Sequence, residues 1–154
     1  MIDRWHLQLV VDDVSARGEV SKVITLEEAK GIVSAAEQKA QQMGQPMNIA
    51  VMDAGRNLVA FQRMDGAWVA SIDIAIDKAF TSAGRGLTTR EIGEMAQPGQ
   101  PLFGINTTNG GRIVIFAGGV PLMRDGEVVG AVGVSGGTPD EDHEVAEAGV
   151  AAFG

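Results

Sequence analysis

Glycines 130, 133 and 136 fall at a regular step of three in the run Val128-Val129-Gly130-Ala131-Val132-Gly133-Val134-Ser135-Gly136. Glycine weakens a strand interior, so three in one strand mark a place where another backbone, a helix or a flat ligand comes close. The chain holds 21 glycines in 154 residues, and 9 of them lie between Asn109 and Gly137. That is about twice the usual ~7%, without the strict period of collagen. Either tight helix–sheet or subunit packing, or a ligand-facing surface, accounts for glycines at this density.

The rest of the composition bounds the class. A length of 154 residues suits one domain, and 45% apolar with 21% charged residues is globular rather than disordered. With no cysteine there is no disulfide, thiolate metal site or thiol nucleophile, and two histidines cannot make a three-His zinc centre. A net charge of −8 argues against a nucleic-acid surface, which needs clustered Lys and Arg. No apolar run approaches the ~20 residues of a membrane span. The first residues, Met1-Ile2-Asp3-Arg4-Trp5-His6, show neither a basic leader nor an apolar h-region, so a cytoplasmic location is expected.

Residues 1–22 have weak periodicity and read as an N-terminal arm, with a single domain over 23–154. A capping box at Thr25 and Glu28 opens a helix that Gly44 and Pro46 close. Strands are expected over 48–53 and 57–63, joined by the turn Ala54-Gly55-Arg56, with Val59, Phe61 and Arg63 on one face. A long helix is expected over 67–82 with Asp65 as its N-cap, and a short one from the Thr88/Glu91 capping box. Three more strands are predicted, over 112–117, 120–123 and 128–134, the last two joined by Asp125-Gly126. Thr138-Pro139-Asp140-Glu141 starts the last helix, whose apolar face is Val145, Ala148 and Ala152. The expectation is an α+β fold with a central, mostly antiparallel five-stranded sheet and helices packed on it.

Gly133-Val134-Ser135-Gly136-Gly137 matches G-x-S-x-G, but its only downstream imidazole is His143, eight residues on in the next helix. The stretch suits anion binding better, through Ser135 and free N–H groups ahead of a helix. His143-Glu144-Val145-Ala146-Glu147 lacks the second His of a zincin, so His143 reads as a solvated ring beside Glu147. On the long helix Ser71, Ala75, Lys78 and Ser82 share a face. With Arg63 and Asp65 arriving at its start, Arg63, Asp65, Ser71 and Lys78 could line a pocket for an anion. The competing reading pairs Lys78 with Asp77, Asp73 or Asp53 on a salt-bridged surface.

Val51-Met52-Asp53-Ala54-Gly55, Phe61-Gln62-Arg63-Met64-Asp65-Gly66-Ala67, Asp77-Lys78-Ala79-Phe80-Thr81, Gly118-Gly119-Val120-Pro121 and the segment from Asp125 to Gly136 together resemble the GlcG/HbpS-like family. The resemblance runs from about Thr25 to the C-terminus. It implies a profilin- or PAS-like layout, assembly into dimers to octamers, and a relation to the C-terminal domain of PduO-type corrinoid adenosyltransferases. Some family members bind or degrade haem. That implies haem as a cofactor here; with no Cys or Tyr present, the axial ligand is left to His143, His6, a Met or a hydroxyl.

Two functional readings follow. One is an oligomeric accessory protein that binds a small ligand or a tetrapyrrole, with Arg63, Ser71 and Ser135 at the ligand. The other is a cofactor-independent lyase, hydratase or isomerase acting on a small carboxylate. There Arg63 anchors the carboxylate while Asp53 or Asp65 and Lys78 exchange protons.

Overall fold

A computed structural model describes residues 23–154. The expected arm over 1–22, and His6 within it, lie outside the described residues. Helix α1 (Leu26–Met43) starts at the Thr25 capping box, where Thr25 N–H donates to the Glu28 carboxylate at 2.8 Å, and stops at Gly44 in the left-handed conformation. Then come β1 (Asn48–Asp53), β2 (Leu58–Arg63), α2 (Ala70–Arg85) and α3 (Thr89–Met95). After two 3-10 turns the chain enters β3 (Gly119–Arg124), β4 (Glu127–Ser135) and α4 (Pro139–Ala151).

Among the described residues the sheet has four strands in the order β2-β1-β4-β3, every neighbouring pair antiparallel. The expected five-stranded sheet is thus corrected to four. Residues 112–117 form no strand because their backbone groups are spoken for by helices. Val114 N–H donates to Thr81 Oγ1 of α2 at 3.0 Å, and Ile115 O presses on α3 where Gly93 has no side chain. An Ile/Val/Phe run states burial; it does not state which backbone partner it meets.

The pleat divides the core. Ile49, Val51, Val132 and Val134 face α1 and α4, packing with Ile32, Ala36 and Val145. Ala50 and Met52 face Ala75 and Ala79 of α2 on the other side. Gly133 explains why the helix comes so close, since a Cβ there would run into Ala75 O and Ala79 N. Gly130 and Gly136 likewise leave room for Met52 O and Pro46 O. The three-step glycine pattern therefore serves backbone contact within the chain.

Three smaller expectations are corrected. Helix α2 begins at Ala70 with Val69 at the N-cap position and no side-chain cap, so Asp65 does not cap it. The α4 residues that go inward are Asp142, Val145, Ala146 and Gly149, while Ala152 is exposed. In β2 a register shift leaves Val59 opposite no residue of β1, which turns it toward the α1 side and away from Phe61.

Candidate functional site

One cross-strand row ends the sheet where α2 begins. Asn48 of β1 sits opposite Arg63 of β2 and opposite Ser135 of β4, so the three Cα atoms lie in line. Neighbours in such a row are about 4.5–5.5 Å apart and share one face. That face is the α2 side, because Ala50, Phe61 and Gly133, two residues away on each strand, all pack there.

Trp68 O joins the row to the helix. It accepts Asn48 Nδ2 at 2.9 Å and Ser71 N–H at 3.1 Å, which sets Ser71 beside the Asn48 amide. Asn48 is fully buried, yet its Oδ1 has no partner among the described residues. Ser71 and Ser135 are each 4% exposed, and neither hydroxyl is engaged by another described residue. Arg63 is exposed at the rim and forms no ion pair among the described residues. Trp68 and Val69, 66% and 70% exposed, supply an apolar lip. Unused hydrogen-bonding groups thus converge at the uncapped N-terminus of α2, where the helix dipole favours negative charge.

The sequence reading brings Arg63, Ser71 and Ser135 to this corner but misses Asn48. The available signal was an amide opening an otherwise apolar strand, Asn48-Ile49-Ala50-Val51-Met52. The remaining candidates go elsewhere. Lys78 is seven residues past Ser71, ~10.5 Å along the helix. It is fully buried, with Nζ donating to Val134 O at 2.9 Å and to Asp142 Oδ2 at 2.7 Å. The partner is thus on α4, not the Asp77, Asp73 or Asp53 of the surface reading. Burial pushes the Lys78 ammonium below its usual range, with Asp142 opposing. Burial also raises the Asp142 carboxyl, against Lys78 and the N–H groups of Gly137 and Gly136.

Asp53 lies at the far end of β1, ~17 Å from the Arg63 row. Its carboxylate accepts Asn57 N–H at 2.9 Å and organises the hairpin turn. One small carboxylate cannot touch both Arg63 and Asp53. Asp65 is exposed on the surface, two residues past Arg63. The expected solvated His143 is instead mostly buried: its side chain is 13% exposed, with Nε2 3.2 Å from Glu147 and Nδ1 buried without a partner among the described residues. Among the described residues no group of three His, Asp or Glu is placed to hold a metal ion. No described helix is long and apolar enough to cross a membrane.

The family model described as haem degrading protein HbpS-like matches residues 24–151. The chain belongs to this HbpS-like family. Within it, the chain is 45% identical over 130 residues to an uncharacterized 15.0 kDa protein of Citrobacter freundii encoded in the dhaT-dhaS intergenic region, covering 84% of this chain and 92% of that one. The HbpS-like fold is similar to the crystal structure of Klebsiella pneumoniae ORFY, with TM-score 0.84, 39% identity and coverage of 89% and 94%. It is also similar to PduOC, solved as a haem complex, with TM-score 0.81, 32% identity and coverage of 84% and 94%.

Proposed function

We propose that this HbpS-like protein is an accessory protein that binds a small carboxylate ligand, without turnover, at the corner formed by Asn48, Arg63, Ser71 and Ser135. The observation that carries this reading is the buried Asn48 Oδ1, which has no partner among the described residues. An unmet buried acceptor costs on the order of 1–3 kcal/mol, which a ligand hydroxyl or amine donating to it would recover. Arg63 offers a guanidinium fork to a carboxylate, and the two serine hydroxyls either donate or accept. The ligand class is a small hydroxy- or amino-carboxylate. Catalysis by Asp53 and Lys78 is not supported, because a proton carrier must lie within hydrogen-bond reach of the substrate. Lys78 is committed to Asp142 and Asp53 to its turn.

Haem is a second reading, favoured by the likeness to PduOC in its haem complex. The exposed Trp68 and Val69 beside Arg63 suit a flat macrocycle bearing propionates. The described residues do not fit its iron, however: the ring of His143 is mostly covered and its Nδ1 is buried. No axial contact is therefore derived from them. Self-association in the dimer-to-octamer range belongs to the same proposal, supported by the exposure of Trp68, Val69 and Phe103; so does a cytoplasmic location.

The test is calorimetric titration of the full chain with a panel of hydroxy-, amino- and unsubstituted carboxylates, alongside haemin titration read at the Soret band, with size by light scattering. The proposal expects one or more hydroxy- or amino-carboxylates to bind more tightly than their unsubstituted analogues. Stoichiometric haemin retention with no carboxylate binding would favour the second reading, and a panel with no saturable binding at all would sink both.

A further inference from the structure

A second, independent site lies at the opposite end of α2. Nine Lys and Arg residues lie within 23–154, and five of them, Lys39, Lys78, Arg90, Arg112 and Arg124, are held in ion pairs. Lys30, Arg56, Arg63 and Arg85 have no carboxylate partner among the described residues. In a chain of net charge −8, two of these four unneutralised cations, Arg56 and Arg85, line one cleft of about 430 Å³. That volume falls within the usual range for small-molecule sites.

Arg56 is held in place. Its guanidinium stacks on the Phe80 ring with Cζ 4.5 Å from the centroid, and Arg112 also lies against that ring at 3.8 Å. Its stem runs along α2 at Gly84, where an added Cβ would come within 3.1 Å of both Cδ and Nη1. The backbone at Arg56 is left-handed, φ 63°, as the turn after β1 requires. A long side chain fixed this way loses less freedom when it binds an anion. Asn109 lines the same cleft, and its Nδ2 has no hydrogen-bond partner among the described residues, while the Thr108 hydroxyl donates to Ile105 O at 2.6 Å. Ile105 and Ile113 form the apolar side.

We propose that this cleft binds a phosphorylated small molecule, with Arg56, Arg85 and Asn109 on the phosphoryl oxygens and the attached group against Ile105 and Ile113. Two guanidiniums and an amide suit a dianion with several oxygens better than a single carboxylate. The carbonyl end of α2 nearby repels an anion, so neither arginine alone suffices.

The probes are inorganic pyrophosphate and inorganic phosphate, titrated calorimetrically into the full chain at low salt. Saturable one-to-one binding of pyrophosphate is expected, weakened about tenfold or more by Arg85→Gln and by Arg56→Gln. Lys30→Gln, which removes equal charge outside the cleft, should leave it unchanged. Thermal unfolding of Arg85→Gln, an exposed position, verifies that its loss is not misfolding. Absence of saturable binding of either probe, or an equal loss in Lys30→Gln, overturns the proposal. Because the cleft shares no residue with the Asn48–Arg63 corner, this outcome is separate from the fate of the carboxylate site.

Discussion

Lys78 Nζ lies 2.7 Å from Asp142 Oδ2, tying the middle of α2 to the first turn of α4 with side chains 0% and 3% exposed. The contact passes over Gly118, where a Cβ would sit 2.5 Å from Nζ. Asp142 Oδ1 accepts Gly137 N–H at 2.8 Å, so the pair also fixes the exit of β4 that carries Ser135. Removing one partner of such a pair strands the other charge. Lys78→Met is expected to cost about 3–5 kcal/mol, whereas the double change Lys78→Met with Asp142→Leu should cost less than the single. Denaturant unfolding of the three proteins measures the ordering; a double variant less stable than the single would refute it.

The same pair gives a pH dependence with a definite sign. Asp142 is raised from its ordinary 3.8 by burial, so its contribution is present at low pH and is lost as pH rises through its folded value. Lys78 is lowered from its ordinary 10.5 by burial, so its contribution is present above that value and is lost as pH falls through its folded one. Relative to the double variant, wild type should therefore be at its least stable between those two transitions and recover toward either extreme. Unfolding free energies of both proteins across pH test this, and a flat difference would contradict it.

How legible this was can be judged residue by residue. The capping boxes at Thr25, Thr88 and Thr138 all formed, because a hydroxyl and a carboxylate three residues apart state their contact locally. The strands over 48–53 and 128–134 were readable for the same reason. The segment 112–117 was not, since its Ile/Val/Phe pattern is equally served by lying across α2 and α3. Lys78 shows the limit at the candidate site: its helix face was correct, but nothing local tells a Lys that its partner is 64 residues ahead. Asn48 was missed because a single amide carries no spacing. Only the register that sets it between Arg63 and Ser135 gives it meaning.

Two glycine-to-alanine changes should behave oppositely. Gly31 lies inside α1 with nothing within 4 Å of an added Cβ, so Gly31→Ala should stabilise the protein by roughly 0.5–1 kcal/mol. Gly133→Ala drives a methyl into the backbone of α2 at Ala75 and Ala79, where no flexible side chain can yield. Loss of soluble folded protein, or a large fall in melting temperature, is expected by circular dichroism. A Gly133→Ala protein as stable as wild type would mean that α2 does not rest on β4 as described.

The carboxylate corner makes the most direct claim on function, and its residues differ in what their loss should do. Arg63 is exposed and has no ion-pair partner among the described residues, so Arg63→Gln should leave stability within about 0.5 kcal/mol. Carboxylate binding should weaken by tenfold or more, the scale of a lost charged hydrogen bond. Asn48→Asp puts a carboxylate where the orphan acceptor stands, beside Trp68 O, and deprives that carbonyl of its amide donor. This change should both destabilise the fold and discriminate against anionic ligands. Ser135→Ala removes a hydroxyl that no described residue uses, so its cost should appear in binding alone. If Ser135→Ala instead lowered stability while ligand affinity held, the hydroxyl would be structural and the corner would lose one of its four ligand contacts.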